Sequence, residues 1–332
     1  MIGCISLEKI ARLRELLGNA RKVALAGHVH PDGDAIGCVT ALALYLQREL
    51  GKEVVCMFPD ALPQSLEFAK NPAVRYLWGQ TEEADLIILM DCNAFLRTEC
   101  LAETLLSAKV PKVLIDHHLN PAMESFNLVF STSDISSASE LLYWILKALG
   151  WDMKDTEIGN ALLTGMTTDT NNFANSVYPT TFTMASELIA SGVDRDDILQ
   201  KIYWSYRENR VRLMGYMQNE GLTILPEGAA YMILTKEIQD RFDLREGESE
   251  GLVNVPLAIK DVKLSLLLKE NEDHYRVSLR SKKGTSAQKC AVNYFNGGGH
   301  ENAAGGKLFP EKDLGGLGLE AYIRMALTES LK

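Results

Sequence analysis

Apolar residues recur along the first half of the chain in two alternating rhythms. Ile10, Leu13, Leu16 and Leu17 share one face of a helical repeat, after Ser6, suited to cap a helix, and before Gly18, suited to stop it. Val23 to Gly27 (VALAG) is a short, almost continuous apolar run, the pattern of a buried strand. The same alternation predicts a helix over Asp34–Leu50, closed by Gly51, and strands at Val54–Phe58, Leu86–Met90 and Lys112–Ile115. Strands that are apolar on both faces and alternate with helices predict an α/β fold, a mostly parallel sheet flanked by helices.

From Ser136 the pattern turns helical. Ser139–Leu149 carries Leu141, Leu142, Ile145 and Leu149 on one stripe; Ile158–Met166 and Thr181–Ala190 follow, the latter closed by Gly192. Asp194 to about Gly221 is a long polar and aromatic helical stretch with Trp204, Tyr206, Leu213 and Met217. The last third changes character. AAYMILTK, VKLSLLLKE and YRVSLRSK are strand-like, separated by turn-rich acidic segments, and a helix is expected at Ser286–Phe295. The expected organisation is a domain over 1–193, a helical connector over 194–221 and a smaller α+β domain over 222–332.

At 332 residues, 46% hydrophobic and 23% charged, the chain can bury sizeable cores without disulfides or structural metals, which excludes disordered and collagen-like classes. Its 34 Lys+Arg against 44 Asp+Glu give a net charge of −10, which argues against a surface that coats long duplex nucleic acid but not against a short charged ligand at one site. None of the six cysteines forms a CxxC pair, and scattered thiols suit a reducing compartment. The N-terminus has the charge and period of a helix rather than a signal peptide, and the longest near-apolar stretch, Ile36–Leu46, is too short to span a bilayer. A soluble cytoplasmic protein, with no membrane partner, is expected.

Five of the six histidines (His28, His30, His117, His118 and His300) lie in three short clusters rich in Asp or Gly. In GHVHPDGDAIG, just after the first strand, His28, Asp32 and Asp34 offer an imidazole and two carboxylates at a tight turn; an Asp-Gly turn with Asp34 as helix cap is the plainer alternative. Asp91 ends the apolar run LIILM, where a buried carboxylate needs a partner or an ion, unless it serves as a turn or cap residue. Asp116, His117 and His118 close another strand; adjacent side chains of an extended chain face opposite ways, so both rings can serve one pocket only if the chain turns there. Asp169 falls near a helix C-terminus, where its charge opposes the helix dipole, which favours a cation as partner over capping.

Together His28, Asp32, Asp34, Asp91, His117 and Asp169 form an imidazole–carboxylate set without thiolate, suited to two divalent ions, Mn²⁺ above all and Mg²⁺ as the other candidate, rather than to structural zinc. Two such ions can serve an in-line phosphoryl displacement. Near the C-terminus FNGGGHENAAGG exposes backbone N–H groups at Gly298 and Gly299 beside His300; a helix starting after them would add its positive end, and a flexible turn is the alternative. Arg280, on the strand-like run VSLRS, has the fork geometry for phosphate, although a lone Arg often only decorates a surface.

PDGDAIG, DHH and GGGHENAAG, in this order over nearly the whole chain, resemble the DHH phosphoesterases with a C-terminal DHH-associated domain. The compact size and the pairing of VSLRS with GGGHxNAAG resemble the branch of nano-RNases and pAp phosphatases, often labelled exopolyphosphatase-like. The resemblance implies that His28, Asp32 and Asp169 hold one metal, that Asp34 and His117 hold the other, and that Asp91 bridges them. It implies that His118 contacts the scissile phosphate, that Asp116 orients the histidines from behind, and that Arg280, Gly298, Gly299 and His300 bind the nucleotide or its terminal phosphate, facing the metals across an active-site cleft between the two domains. Cys38 stands where Ser is commoner, Asn171 and Asn172 where Gly-Ser is commoner, and His30 is an additional imidazole; none removes a ligand.

The activity implied is metal-dependent hydrolysis of very short single-stranded RNA and of 3′-phosphoadenosine 5′-phosphate (pAp), by a hydroxide activated between two metals. Same-site alternatives are cyclic dinucleotides or their linear products, and polyphosphate or pyrophosphate, the last disfavoured by the glycine motif. A nucleotide sensor without catalysis fits the intact ligand set least. A homodimer is compatible with the resemblance.

Overall fold

The computed structural model, which describes residues 2–332, divides between Ser205 and Tyr206 into two units, each with its own sheet and cores. The first contains α1 (Leu7–Asn19), β1 (Lys22–Ala26), α2 (Gly33–Arg48), β2 (Glu53–Phe58), β3 (Tyr76–Trp78), β4 (Leu86–Met90), α3 (Ala102–Ser107), β5 (Lys112–Asp116), β6 (Leu128–Ser131), α4 (Ala138–Leu149), α5 (Thr156–Asp169), α6 (Pro179–Ala190) and α7 (Arg195–Tyr203). Its six strands are all parallel, in the order β3-β2-β1-β4-β5-β6.

The apolar runs explain this sheet. Val23 and Leu25 of β1 point into a core shared with α1, α2, α4 and α5, while Ala24 and Ala26 point into a second core with Phe95, Leu101 and Leu105. Both faces are therefore covered, as a parallel sheet requires. The strand order reverses direction at β1/β4, and crevices at such a switch point, beyond the carboxyl ends of the strands, are where open α/β sheets hold ligands.

The second unit contains α8 (Glu208–Asn219), β7 (Leu222–Ile224), β8 (Ala229–Leu234), α9 (Lys236–Arg241), β9 (Leu264–Glu270), β10 (Tyr275–Ser281), α10 (Ala287–Tyr294), β11 (Gly298–His300), β12 (Ala303–Leu308), α11 (Pro310–Asp313) and α12 (Leu319–Glu329). Its sheet, β11-β12-β10-β9-β8-β7, is antiparallel except for the β8–β9 pair. One face packs on α10 and α12 through Leu266, Leu279, Ala291 and Ile323; part of the other packs on Leu213 and Met217 of α8.

The segment 194–221, expected as one helical connector, is two helices in two units. Ile198 of α7 joins the first unit's core, whereas Leu213 and Met217 of α8 join one in the second. The break falls at Trp204–Arg207, with Arg207 extended (φ −63°, ψ 149°), and no glycine or proline announces it. β3 and β6, the edge strands of the first sheet, leave no pattern in the sequence: three and four residues are too few for a period to show.

One close approach fixes the first unit's geometry. A Cβ on Gly37 of α2 would lie 2.7 Å from the Ala161 carbonyl oxygen and 2.9 Å from the Gly165 nitrogen, both backbone atoms of α5. The two helices can touch here only because position 37 has no side chain, and the contact sets Asp34 of α2 near Asp169 of α5. Gly37→Ala must push the helices apart. Overpacking of this kind costs about 1–3 kcal/mol, and chemical denaturation of the variant should show a lower midpoint; an unchanged midpoint would mean that α2 and α5 have slack.

Candidate metal centre

Three strand ends and one helix end supply the site. The chain leaves β1 into His28, β4 into Asp91 and β5 into His117, and α5 ends on Asp169. His28 is buried, and its Nδ1 lies 2.7 Å from the Val29 carbonyl oxygen. A carbonyl can only accept, so Nδ1 carries the proton and Nε2 presents its lone pair, the tautomer a metal-binding histidine needs. Asp32, not Asp34, is the N-cap of α2: its Oδ1 accepts from the N–H groups of Asp34 and Ala35, both at 3.0 Å. The capping oxygen is also the one nearest His28 Nε2, at 3.9 Å, so the cap itself holds this carboxylate toward the imidazole.

Asp34 is held by backbone donors distant in sequence. Its Oδ2 accepts from Ala138 N–H (2.7 Å) and its Oδ1 from Ser139 N–H (3.0 Å), the first two backbone donors of α4. A helix N-terminus favours a negative charge there. Asp91 is 2% exposed and ends β4 with φ 51° while its N–H still bonds to Ile115 O in β5. Its two oxygens face different neighbours: Oδ2 lies 3.5 Å from His28 Nε2, Oδ1 lies 3.3 Å from His117 Nε2 and 3.7 Å from His118 Nδ1.

The chain does turn after β5, so that the His117 and His118 rings lie 4.7 Å apart. His117 Nε2 also lies 3.6 Å from Asp169 Oδ2 and 4.0 Å from Asp34 Oδ2. The buried Asp116 takes the Nδ1 of His118 at 2.8 Å and its backbone N–H at 3.1 Å. It orients His118.

Ligand atoms within 4.8 Å of one another form three overlapping groups: His28, Asp32 and Asp91; Asp34, His117 and Asp169; Asp91, His117 and His118. All six proposed ligands are thus gathered. Asp169 shares a group with Asp34 and His117, whereas the resemblance set it with His28 and Asp32; α5 packs against α2 beside Asp34. The donor set fits divalent cations. Asp91 Oδ1 is buried without an aligned hydrogen-bond donor, although two imidazoles stand within ion-pair reach. Carboxylate oxygens and imidazole nitrogens that converge this closely suit a shared divalent cation.

As protein groups alone, these side chains hold protons. Burial opposes charge on His28, but the carboxylates of Asp91 and Asp32 outweigh it and raise the imidazole to about 9. Burial likewise opposes charge on His117, and Asp169, Asp91 and Asp34 raise it well above its usual value. Burial, then Asp91 and Asp169, push Asp34 up; burial chiefly, with Asp32 and Asp91 adding, pushes Asp169 up to about 7. Asp91 alone is lowered: burial opposes its charge, but His117 and His28 hold the ionised form.

The family departures have local accounts. Asn171 and Asn172 adopt φ 47° and 53°, left-handed values that Asn tolerates better than most residues. Cys38 is buried, its thiol donating to Ala35 O at 3.4 Å. His30 pairs with Asp60 at 3.0 Å.

In the second unit the glycine motif is not followed by a helix. Gly298–His300 forms β11, which turns into β12; the expected dipole is therefore absent there, and the preceding α10 has its first N–H, Ala287, spent on Glu301 O at 2.8 Å. Glycine is required at 299, where φ is 140° and a Cβ would lie 2.6 Å from Ala303 O. Arg280 and His300 both pair with Ala303, from opposite sides, so they occupy one row of the sheet. Gly298 and Ser278 likewise flank Gly305. Sequence reasoning missed the Ala138 and Ser139 N–H groups and the buried Glu140. The only legible sign was the Ser137-x-x-Glu140 spacing of a helix start.

Residues 22–168 match the model of the DHH family, N-terminal domain, and residues 229–314 that of the DHHA1 domain. The chain is 29% identical to the bifunctional oligoribonuclease and PAP phosphatase NrnA of Thermus thermophilus, over 91% of this chain and 89% of that protein. It is 26% identical to the protein of the same name from Bacillus subtilis, over 86% and 89%. A crystal structure of an exopolyphosphatase-related protein from Bacteroides fragilis superposes with a TM-score of 0.88 at 33% identity, covering 100% of this chain and 97% of that one.

Cations entering the centre must displace the protons it holds. Groups with raised pKa keep those protons below it, so Mn²⁺ should bind weakly near pH 6 and more tightly as pH rises through about 7, where Asp169 releases its proton, towards about 9, where His28 does. Calorimetry in buffers of different ionisation enthalpy should register proton release on binding. Affinity that is flat across this range would contradict the protonation described.

Proposed function

Since the chain belongs to the DHH family and is a phosphoesterase with a DHHA1 domain, we propose that it is a Mn²⁺-dependent hydrolase of very short RNA and of pAp. The observation that carries the chemistry is Asp91, buried, with one oxygen toward His28 and the other toward His117. What supports the substrate class is similarity to named oligoribonuclease and PAP phosphatase proteins that extends across both units.

Bound there, two divalent cations would supply an acidified water and charge stabilisation for the phosphoryl oxygens. His28, Asp32 and Asp91 would hold one; Asp34, His117 and Asp169 the other, with Asp91 common to both. His118 has its Nδ1 engaged by Asp116, so its contact with a substrate oxygen would run through Nε2. Asp116 fixes that ring and is a positioning residue. In the second unit Arg280 would take a terminal phosphate bidentately, beside His300 and the backbone N–H groups of Gly298 and Gly299. The centre provides the chemistry, and this row provides the preference for a nucleotide end.

Purified protein with Mn²⁺ should release phosphate from pAp and mononucleotide from a labelled RNA trimer. Asp91→Asn keeps the shape and removes the shared charge. Since even groups behind a ligand are worth about 10–100-fold, loss of this ligand should cost more than that on both substrates. Release of product from neither substrate by metal-loaded wild type would refute the assignment.

Arg280→Ala removes a charge-assisted contact worth about 1.5–3 kcal/mol. It should raise KM for both substrates at least about tenfold while kcat changes little. An equal fall in kcat with KM unchanged would place Arg280 in the chemistry instead.

A further inference from the structure

Glu140 is fully buried, yet among the described residues no Lys, Arg or His pairs with it. Its charge is met by hydrogen-bond donors. Oε2 accepts from Ser136 N–H (3.1 Å), from the Ser136 hydroxyl and from the Thr181 hydroxyl (2.7 Å), and Oε1 from Trp144 Nε1–H (3.4 Å). Its own N–H donates to Ser137 Oγ, the N-cap of α4, at 3.0 Å. Ser136 and Ser137 are themselves buried, so this carboxylate specifies how the chain enters α4.

Two consequences reach the centre. The first N–H groups after that entry, Ala138 and Ser139, grip Asp34. Thr181, the other donor, also accepts Tyr178 N–H at 3.1 Å and thereby fixes the start of α6, the helix that follows the segment leaving Asp169. Glu140 therefore ties together the supports of Asp34 and of the chain beyond Asp169. It lies behind one ligand group, Asp34, His117 and Asp169, and its hydrogen bonds run to Ser136, Ser137, Trp144 and Thr181 rather than to His28 or Asp32 of the other.

We propose that Glu140 is a positioning residue for the cation held by Asp34, His117 and Asp169. Its loss would weaken that ion selectively and leave the His28–Asp32–Asp91 group competent. This rests on the two-ion reading given above.

The test uses the full chain loaded with two equivalents of Mn²⁺ and read by electron paramagnetic resonance, where two neighbouring Mn²⁺ ions give an exchange-coupled spectrum and a single one gives an isolated six-line spectrum. Wild type should show the coupled spectrum. Glu140→Ala should show the isolated one, with the second ion bound at least about tenfold more weakly and the coupled spectrum restored by excess Mn²⁺. Thr181→Val removes one donor and no charge, endangers the fold less, and should shift the second affinity in the same direction by a smaller factor. Glu140→Gln, which keeps an acceptor for the serine and threonine donors, should fall between wild type and Glu140→Ala. Folded variants that keep the coupled spectrum at wild-type affinity, or that lose both ions together, would overturn this inference alone. A wild type without a coupled spectrum would overturn the two-ion reading and this inference with it.

Discussion

Mutual repulsion among carboxylates governs the first unit. Asp34 and Asp169 bring ligand oxygens within 4.8 Å of each other, and Asp32 and Asp91 do the same. Two unit charges 4 Å apart repel by about 4 kcal/mol at an effective dielectric near 20. A few such pairs would rival the whole net stability of a domain, about 5–15 kcal/mol. The protein offsets part of this with helix N-termini, α2 for Asp32 and α4 for Asp34, and with the imidazoles of His28 and His117. The remainder falls to protons or to cations, and the raised pKa values of Asp34 and Asp169 show the proton solution. Divalent cations, in the function proposed above, would be the solution that also performs chemistry.

The scaffold follows from that constraint. Ligands arrive from three parallel strand ends, where apolar runs stop and the backbone can turn, and from α5, which reaches them only because Gly37 lets α2 and α5 touch. The candidate ligands are local in sequence to these ends, so the sequence could nominate them. The long apolar strands and amphipathic helices were legible for the same reason: one residue in two, or three to four, reports burial directly. What holds Asp34 was not legible, because Ala138 and Ser139 act through backbone N–H groups more than a hundred residues away, and a backbone donor leaves no mark on residue type. Which group Asp169 joins is hidden for a related reason: it depends on which helix α5 packs against, a tertiary fact.

The second unit shows the opposite limit. Its glycine motif looked like the approach to a helix N-terminus, yet it builds a hairpin, β11 and β12, whose glycines serve close backbone contacts. Gly, Ala and His in alternation carry no apolar period, so nothing in the pattern distinguished strand from loop. The residues named for recognition still meet in one register, with Arg280 and His300 flanking Ala303. Chemistry is read from residue type and conformation from periodicity, so the local element goes astray where no period exists.

The central claim is that Asp91 is shared between two cations. Crystals grown with Mn²⁺ and measured on both sides of the manganese absorption edge would test it most directly. The account predicts two anomalous peaks about 3.5–4 Å apart, one beside each carboxylate oxygen of Asp91, the first bounded by His28 and Asp32 and the second by Asp34, His117 and Asp169. A single peak, or two peaks neither of which adjoins Asp91, would contradict it.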